Sequence, residues 1–170
     1  MSLEIRRIRP DEGLRLRAFR LHALAEAPSA FGSTLAKERV YPGNLWHERA
    51  AAGAAGDDRV VFVADQDGQW VGSVTGLTSD PGGSDRPGLL LVAMFVDGTV
   101  RRRGVGAALV ESIVDWARAR DAARLILWVT STNEAALALY NQCGFQPTGA
   151  TKAGAHDLIS VEVEMAHDLR

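Results

Sequence analysis

Three arginines, Arg101, Arg102 and Arg103, stand immediately before Gly104 and Gly106 in the stretch VRRRGVGAALV. The residues after them have the apolar spacing of a helix, and a helix N-terminus carries the positive end of the macrodipole, which favours acids. Three cations at that end make sense around an anion. The backbone N–H groups of a helix start are unpaired and converge where phosphate oxygens bind well. Glycine keeps side chains clear of that point, and arginine adds a fixed charge with forked hydrogen-bond geometry suited to phosphate. A grip on a phosphate or pyrophosphate is the chemistry this spacing suggests. The plainer reading, solvated arginines and glycines that merely turn the chain, stands beside it. Two familiar phosphate loops do not fit. A P-loop needs Gly-Lys-Ser/Thr, whereas Gly106 is followed by Ala107 and Ala108. A dinucleotide fingerprint needs Gly or Ala three residues after Gly106 and an acid ending the next strand, where the chain has Leu109 and LWVTST.

The elements that would hold this loop can be read on either side of it. LLLVAMFV, residues 89–96, is continuously apolar, as expected of an interior strand covered on both faces. VGAALVESIVDWARAR places Val105, Leu109, Ile113 and Trp116 on one helix face, and RLILWVT predicts another buried strand. Together they form a β-α-β unit. STNEAALALYNQCGF follows, with Ser131 and Glu134 fitting a capping box and Gly144 fitting the position after a helix ending near Cys143. LISVEVEMA alternates like an antiparallel edge or hairpin strand.

Upstream, EIRRIRP reads as a short strand. In DEGLRLRAFRLHALAEAP, Leu14, Ala18, Leu21 and Leu24 recur at helical spacing between Asp11 and Glu12 at the start and Pro28 at the end. NLWHERAAA predicts a second helix, with Asn44 as cap and Trp46 and Ala50 on one face, and AAAGAAGDD reads as its end running into a loop. RVVFVAD and WVGSVTGLT flank a tight turn at Asp67 and Gly68, which predicts an antiparallel hairpin, and the polar loop SDPGGSDRPG follows. The expected order is β-α-α-β-β-β-α-β-α-β-β, a mixed sheet with helices on both faces.

Bulk properties bound the rest. The chain has 170 residues, enough for one domain with a sizeable core, so a single domain over residues 1–170 is expected. A formal net charge of −2 gives no global basic field, which argues against nucleic acid as partner. No apolar run is long enough to span a bilayer or act as a signal peptide, so a cytoplasmic protein without membrane attachment is expected. Cys143 is the sole cysteine, and His22, His47, His156 and His167 lack ligand-like spacing, so no metal is expected. Arginine outnumbers lysine heavily, with Lys37 and Lys152 the only lysines, which reads as genome composition.

VDGTVRRRGVGAAL resembles the acyl-CoA loop of the GNAT N-acetyltransferase superfamily, whose pattern is Val-x-Pro-x-x-Arg-x-x-Gly-x-Gly/Ala. Val96, Arg101, Gly104 and Gly106 fall in register, with Gly98 in place of the proline. A second signature of that family, Asn-x6-Tyr-x3-Gly-Phe, is present as NEAALALYNQCGF, starting 27 residues after Gly106. The order of elements matches as well. The resemblance implies a GNAT-like acyl-CoA N-acyltransferase fold of the α/β (α+β) class, with a mixed central sheet of about six or seven strands. It implies acetyl-CoA as cosubstrate without metal, and direct attack by a primary amine, of a small molecule or a protein, in a ternary complex. The backbone of Met94, Phe95 and Val96 would pair with the pantetheine arm and supply an N–H to the oxyanion. Arg101, Arg102, Arg103, Gly104, Val105, Gly106 and Ala107 would hold the pyrophosphate, and Asn133 and Tyr140 would contact coenzyme A. A homodimer is common in such proteins.

Asn133 and Tyr140 lie seven residues apart, about two helical turns, so both project from one face. A phenol near pKa 10 held close to a departing thiolate near 8.5 can protonate it, which makes Tyr140 the candidate general acid. Packing under Phe145 is its plain alternative, and for Asn133 helix capping stands level with a coenzyme contact. The general base is missing: many relatives in the family place a glutamate on the central strand, and LLLVAMFV has none. Asp97, Asp80, Asp85 and Glu26 are weak candidates, and the absence motivates a second reading as a non-catalytic acyl-CoA-binding sensor or regulatory module. Cys143 reads as packing rather than as an acyl carrier. Trp46, Trp70, Trp116 and Trp128 read as core or sheet-packing residues. His22 and His47 read as solvated or half-buried residues that could border an acceptor pocket. RLHALAEAPSAFGSTLAKE resembles an unassigned group within the family and names no substrate.

Overall fold

The computed structural model describes residues 2–80, 88–156 and 159–170. Seven strands make one sheet: β1 (Leu3–Arg7), β2 (Arg59–Gln66), β3 (Gln69–Leu77), β4 (Leu89–Val96), β5 (Arg124–Thr130), β6 (Gln146–Ala153) and β7 (Val161–Asp168). Their spatial order is β1-β2-β3-β4-β5-β7-β6. Every pairing is antiparallel except β4 with β5, which the crossover helix α4 (Val105–Ala119) makes parallel. The other helices are α1 (Gly13–Glu26), α2 (Leu35–Glu38), α3 (Gly43–Ala55) and α5 (Glu134–Gln142). The β2–β3 hairpin turns at Asp67 and Gly68, at φ 52° and 90°, as a two-residue turn with both central residues left-handed must.

The two faces of the sheet bury separate cores. α4 sets Leu109, Ile113, Val105 and Trp116 against Val60, Val74, Leu91, Leu125 and Leu127, as the helical spacing predicts. On the opposite face α1 and α3 cover Val61, Val63 and Phe95 with Phe19, Ala23, Leu24 and Ala50.

Several expectations need correction. α1 buries Leu24 and half-buries Leu21 as the spacing predicts, but Ala18 is exposed and Leu14 is 68% exposed, and Phe19 and Ala23 complete the buried stripe instead. Glu12 stands at the start of α1 as expected, and it is buried beneath Arg6, whose guanidinium grips it at 2.9 and 2.8 Å. Pro42, not Asn44, precedes the first turn of α3. Asn133, not Ser131, caps α5, and the backbone N–H of Ser131 instead bonds the Val161 carbonyl. The one-turn α2, capped by Thr34, was not expected. Of the two readings of LISVEVEMA the hairpin holds and the edge does not: β7 pairs antiparallel with β6 but lies between β5 and β6, and β6 takes the edge.

Candidate active site

β4 carries the feature that opens the sheet. Its register with β3 passes from Thr75↔Val92 to Ser73↔Phe95, so one extra residue sits on β4, and Ala93 takes φ 55° there. Such a bulge changes which residues share a face. Val92, Ala93 and Phe95 line the α1/α3 side, while Met94 and Val96 pack with the α4 core. For this reason the middle of the apolar run is only half-buried. The ladder to β5 stops at Leu89↔Leu125 and Leu90↔Ile126, so the two parallel strands part beyond Leu90. The backbone of Met94, Phe95 and Val96 therefore runs along one wall of a cleft.

At the end of that wall the chain makes one short turn at Gly98–Val100 and enters α4 through Arg101, Arg102 and Arg103, all exposed. α4 has no side-chain cap and no acid in its first turn. Gly104 is at φ 82°, a conformation glycine adopts without strain, whereas Gly106 has a packing reason: a Cβ there would stand 3.1 Å from Leu139 of α5. Arg101 turns back, donating from Nε to the Val96 carbonyl at 3.0 Å, with its guanidinium 5.9 Å from the Phe95 ring.

α5 supplies the other predicted side chains. The Oδ1 of Asn133 accepts from the Ala136 N–H at 3.2 Å, so it caps the helix, and the same residue borders a cavity at the end of β5. Tyr140 is 7% exposed and meets Phe145 edge-on at 5.9 Å. Burial, helped by Cys143, pushes its phenol up to about 12. Cys143 is half-buried against the α4 core, and burial, with Glu111 second, pushes its thiol up.

Of the carboxylate candidates, Asp97 is the one whose partners are defined. Asp97 accepts from the N–H and the hydroxyl of Thr99 at 3.0 and 2.7 Å and pairs with His22 Nε2 at 2.8 Å. The Thr99 bonds, then His22, hold its carboxyl down to about 2, which makes it a turn cap and a poor proton acceptor at neutral pH. Glu26 is exposed at the end of α1, Asp80 stands at the margin of the described residues, and Asp85 lies outside them. His47 lies beside Gly13, at the start of α1.

Two cavities meet at Phe31. One, of about 330 Å³, lies between residues 29–31, the end of β5 and Gly154–His156, and Thr130, Asn133 and Glu162 border it. The other, of about 180 Å³, lies between α1, α3 and the open face of β2, β3 and β4, and it reaches the bulge at Ala93. Arg20, Arg49, Arg59, Ser73 and Thr75 line it. Sequence reading missed this second site. Its faint signal was the pair of hydroxyls at alternate positions of WVGSVTGLT, an interior strand that had no need of them. Among the described residues no group of three or more potential metal ligands occurs, and no helix is long and apolar enough to cross a membrane.

Residues 21–145 match the profile described as "Acetyltransferase (GNAT) family". The Escherichia coli K12 ribosomal protein bS18-alanine N-acetyltransferase is 32% identical over 101 residues, covering 59% of this chain and 64% of that one. Human N-acetyltransferase 8 is 34% identical over 88 residues, 52% of this chain, so the match spans only 39% of that relative's length. An acetyltransferase of known structure from Streptococcus pneumoniae superposes with TM-score 0.82 over 99% of this chain and 100% of that one, at 24% identity. A Salmonella typhimurium protein solved with acetyl-CoA gives 0.79 over 100% of this chain and 95% of that one, at 18% identity.

Proposed function

Since the chain belongs to the GNAT acetyltransferase family, we propose that it moves the acetyl group of acetyl-CoA to a primary amine by direct attack in a ternary complex. One observation carries this reading: the β4–β5 ladder ends at Leu90, directly before a backbone wall that leads to three exposed arginines at an uncapped helix start. A thioester arm can lie along Met94 to Val96 where β5 no longer pairs, with its diphosphate over the first N–H groups of α4. Arg102, Arg103 and the backbone of Gly104 to Ala107 would hold that diphosphate. Arg101, anchored on Val96, would join the loop to the wall.

In the transfer the amine nitrogen, arriving neutral, bonds the acetyl carbon, the carbon–sulfur bond breaks, the sulfur takes up a proton, and the nitrogen releases one to water, from which the proton donor is restored. A backbone N–H of β4 would receive the developing oxyanion. Tyr140 stays protonated throughout the neutral range and would donate that proton. Burial raises its phenol, and a thiolate leaving beside it out of water would be raised as well, so proton transfer would be less uphill than values in water suggest. Cys143, half-buried against the core, needs no part in this step.

Calorimetry with acetyl-CoA and thiol release over an amine panel test the proposal. Tyr140→Phe is expected to lower kcat by about 10²- to 10⁴-fold with acetyl-CoA affinity retained. Neutralising Arg102 and Arg103 should do the reverse, weakening affinity and sparing kcat at saturation. No heat with millimolar acetyl-CoA on folded protein would sink it.

A further inference from the structure

The smaller cavity has more positive charge than the protein answers. Arg20 grips Glu38 with two bonds, at 3.1 and 3.0 Å, and Arg49 reaches the same carboxylate at 3.7 Å. Glu38 is only 2% exposed. Burial alone would raise its pKa, yet Arg20, with help from Arg49, holds it below the ordinary carboxylate value. That single acid is spent on two guanidinium groups.

Arg59, half-buried on the same wall, pairs with no carboxylate among the described residues. Burial, and then Arg49, lowers its pKa, which is the mark of a cation held without a partner. A desolvated charge is costly until something pairs with it. A second donor is also unanswered: Trp46, 1% exposed and part of the same lining, has an indole N–H with no acceptor. Ser73 and Thr75 add hydroxyls from the floor.

Resting on the acetyl-transfer reading, we infer that the acceptor is a small amine that also carries a carboxylate, held by Arg59 with Arg49 beside it while the amine reaches the bulge at Ala93. Register sets the scale. Arg59 pairs with Leu77 and Leu77 with Leu90, so Arg59 starts two strands across from β4 and three residues short of Ala93. That is about 10 Å along the strands and about 10 Å across them, a gap that the long arginine side chain narrows to the length of a small amino acid. The cavity, about 180 Å³, is below the roughly 300–1,000 Å³ typical of drug-sized ligand sites, which favours a small molecule over a polypeptide. One unpartnered guanidinium matches the single charge of a carboxylate better than the nearly double charge of a phosphate monoester. The same positive surroundings disfavour an ammonium group and favour the neutral, attacking amine. The cationic cavity thus eases the need for the carboxylate base that β4 lacks.

The test uses α- and ω-amino carboxylic acids, each with its carboxamide and its aminophosphonate counterpart, at saturating acetyl-CoA. Thiol release is the readout. At least one acid should be preferred to its amide by about 10- to 100-fold in kcat/KM. Arg59→Gln should abolish that preference through KM, with kcat within a few-fold and acetyl-CoA affinity unchanged, and Arg59→Lys should restore part of it. If Arg59→Gln does not fold, the Arg59→Lys shift in KM decides. Amides used as well as acids, phosphonates preferred to carboxylates, or acetyl-CoA bound with no acid acetylated would each overturn the inference. Absence of acetyl-CoA binding would instead overturn the transfer reading beneath it.

Discussion

On one side of β3, Gly72 and Gly76 stand where an added Cβ would lie 3.0 Å from Leu109 and 2.7 Å from Trp116, while on the other side Ser73 and Thr75 border a cavity of about 180 Å³. The same nine residues thus build both faces by alternation. Toward α4 the strand gives up side chains so that a helix can approach. Toward α1 and α3 it keeps short hydroxyls and leaves space. The buried carboxylates follow the same division: Glu12 and Glu38 belong to the α1/α2 side, and Glu164 shares the face of its partner Trp128, opposite α4. Close packing holds one half of the molecule together. The other combines an apolar core of its own with paired charge around a cavity.

Four measurements would break or sharpen this contrast. Leu109→Ala, at a fully buried position, should cost about 2–5 kcal/mol and lower the thermal midpoint by roughly 4–20 °C, with acceptor KM unchanged at lower temperature. A loss too small to move the midpoint would mean the α4 face is not close-packed.

Glu12→Gln should cost on the order of 2–3 kcal/mol near neutral pH. The carboxyl sits at about 2 in the folded protein against an ordinary 4.5, because Arg6 and the Arg9 N–H outweigh its burial. Its stabilising contribution is therefore complete above about 4.5 and is lost as pH falls toward 2. Denaturant midpoints of wild type and variant should converge over that window, and curves that stay parallel would remove Glu12 from the account.

Gly76→Ala should cost about 1–3 kcal/mol by pushing on Trp116, visible as a lower thermal midpoint with altered tryptophan fluorescence. The smallest effect belongs to the cavity floor. Thr75→Val should change stability by less than about 0.5 kcal/mol while raising acceptor KM, and a large stability loss there would show that the floor is packed after all.

How far these features can be read from the chain differs between the two faces for the same reason. α4 was legible because one helix meets one apolar sheet face, so Val105, Leu109, Ile113 and Trp116 declare themselves by spacing alone. α1 misled because its exposed Leu14 and Ala18 carry the helical period, while its buried stripe includes Phe19 and rests on neighbours from α3 that no local pattern names. The arginine-glycine loop and Tyr140 were visible as motifs. The split between β4 and β5 and the β7 insertion depend on contacts far apart in the sequence, whereas Arg6 and Glu12, six residues apart, are brought together by the turn between β1 and α1, which no periodic pattern declares. Arg59 was hidden for a related reason: it begins a strand like any surface cation, and only the cavity around it and the commitment of Glu38 to its neighbours make it conspicuous.

The strand order has a consequence for biosynthesis. β6 leaves the ribosome before β7 but has no place in the sheet until β7 has docked against β5. While that segment is being made, β5 has an open flank and β6 is unattached, a period in which strand edges are prone to stray pairing. Half of β6's defence is in its own residues, since Pro147 cannot donate to a ladder and Lys152 places a charge on the strand. The nascent polypeptide would therefore be most vulnerable to aggregation late in translation, after the arginine loop and α4 have already emerged.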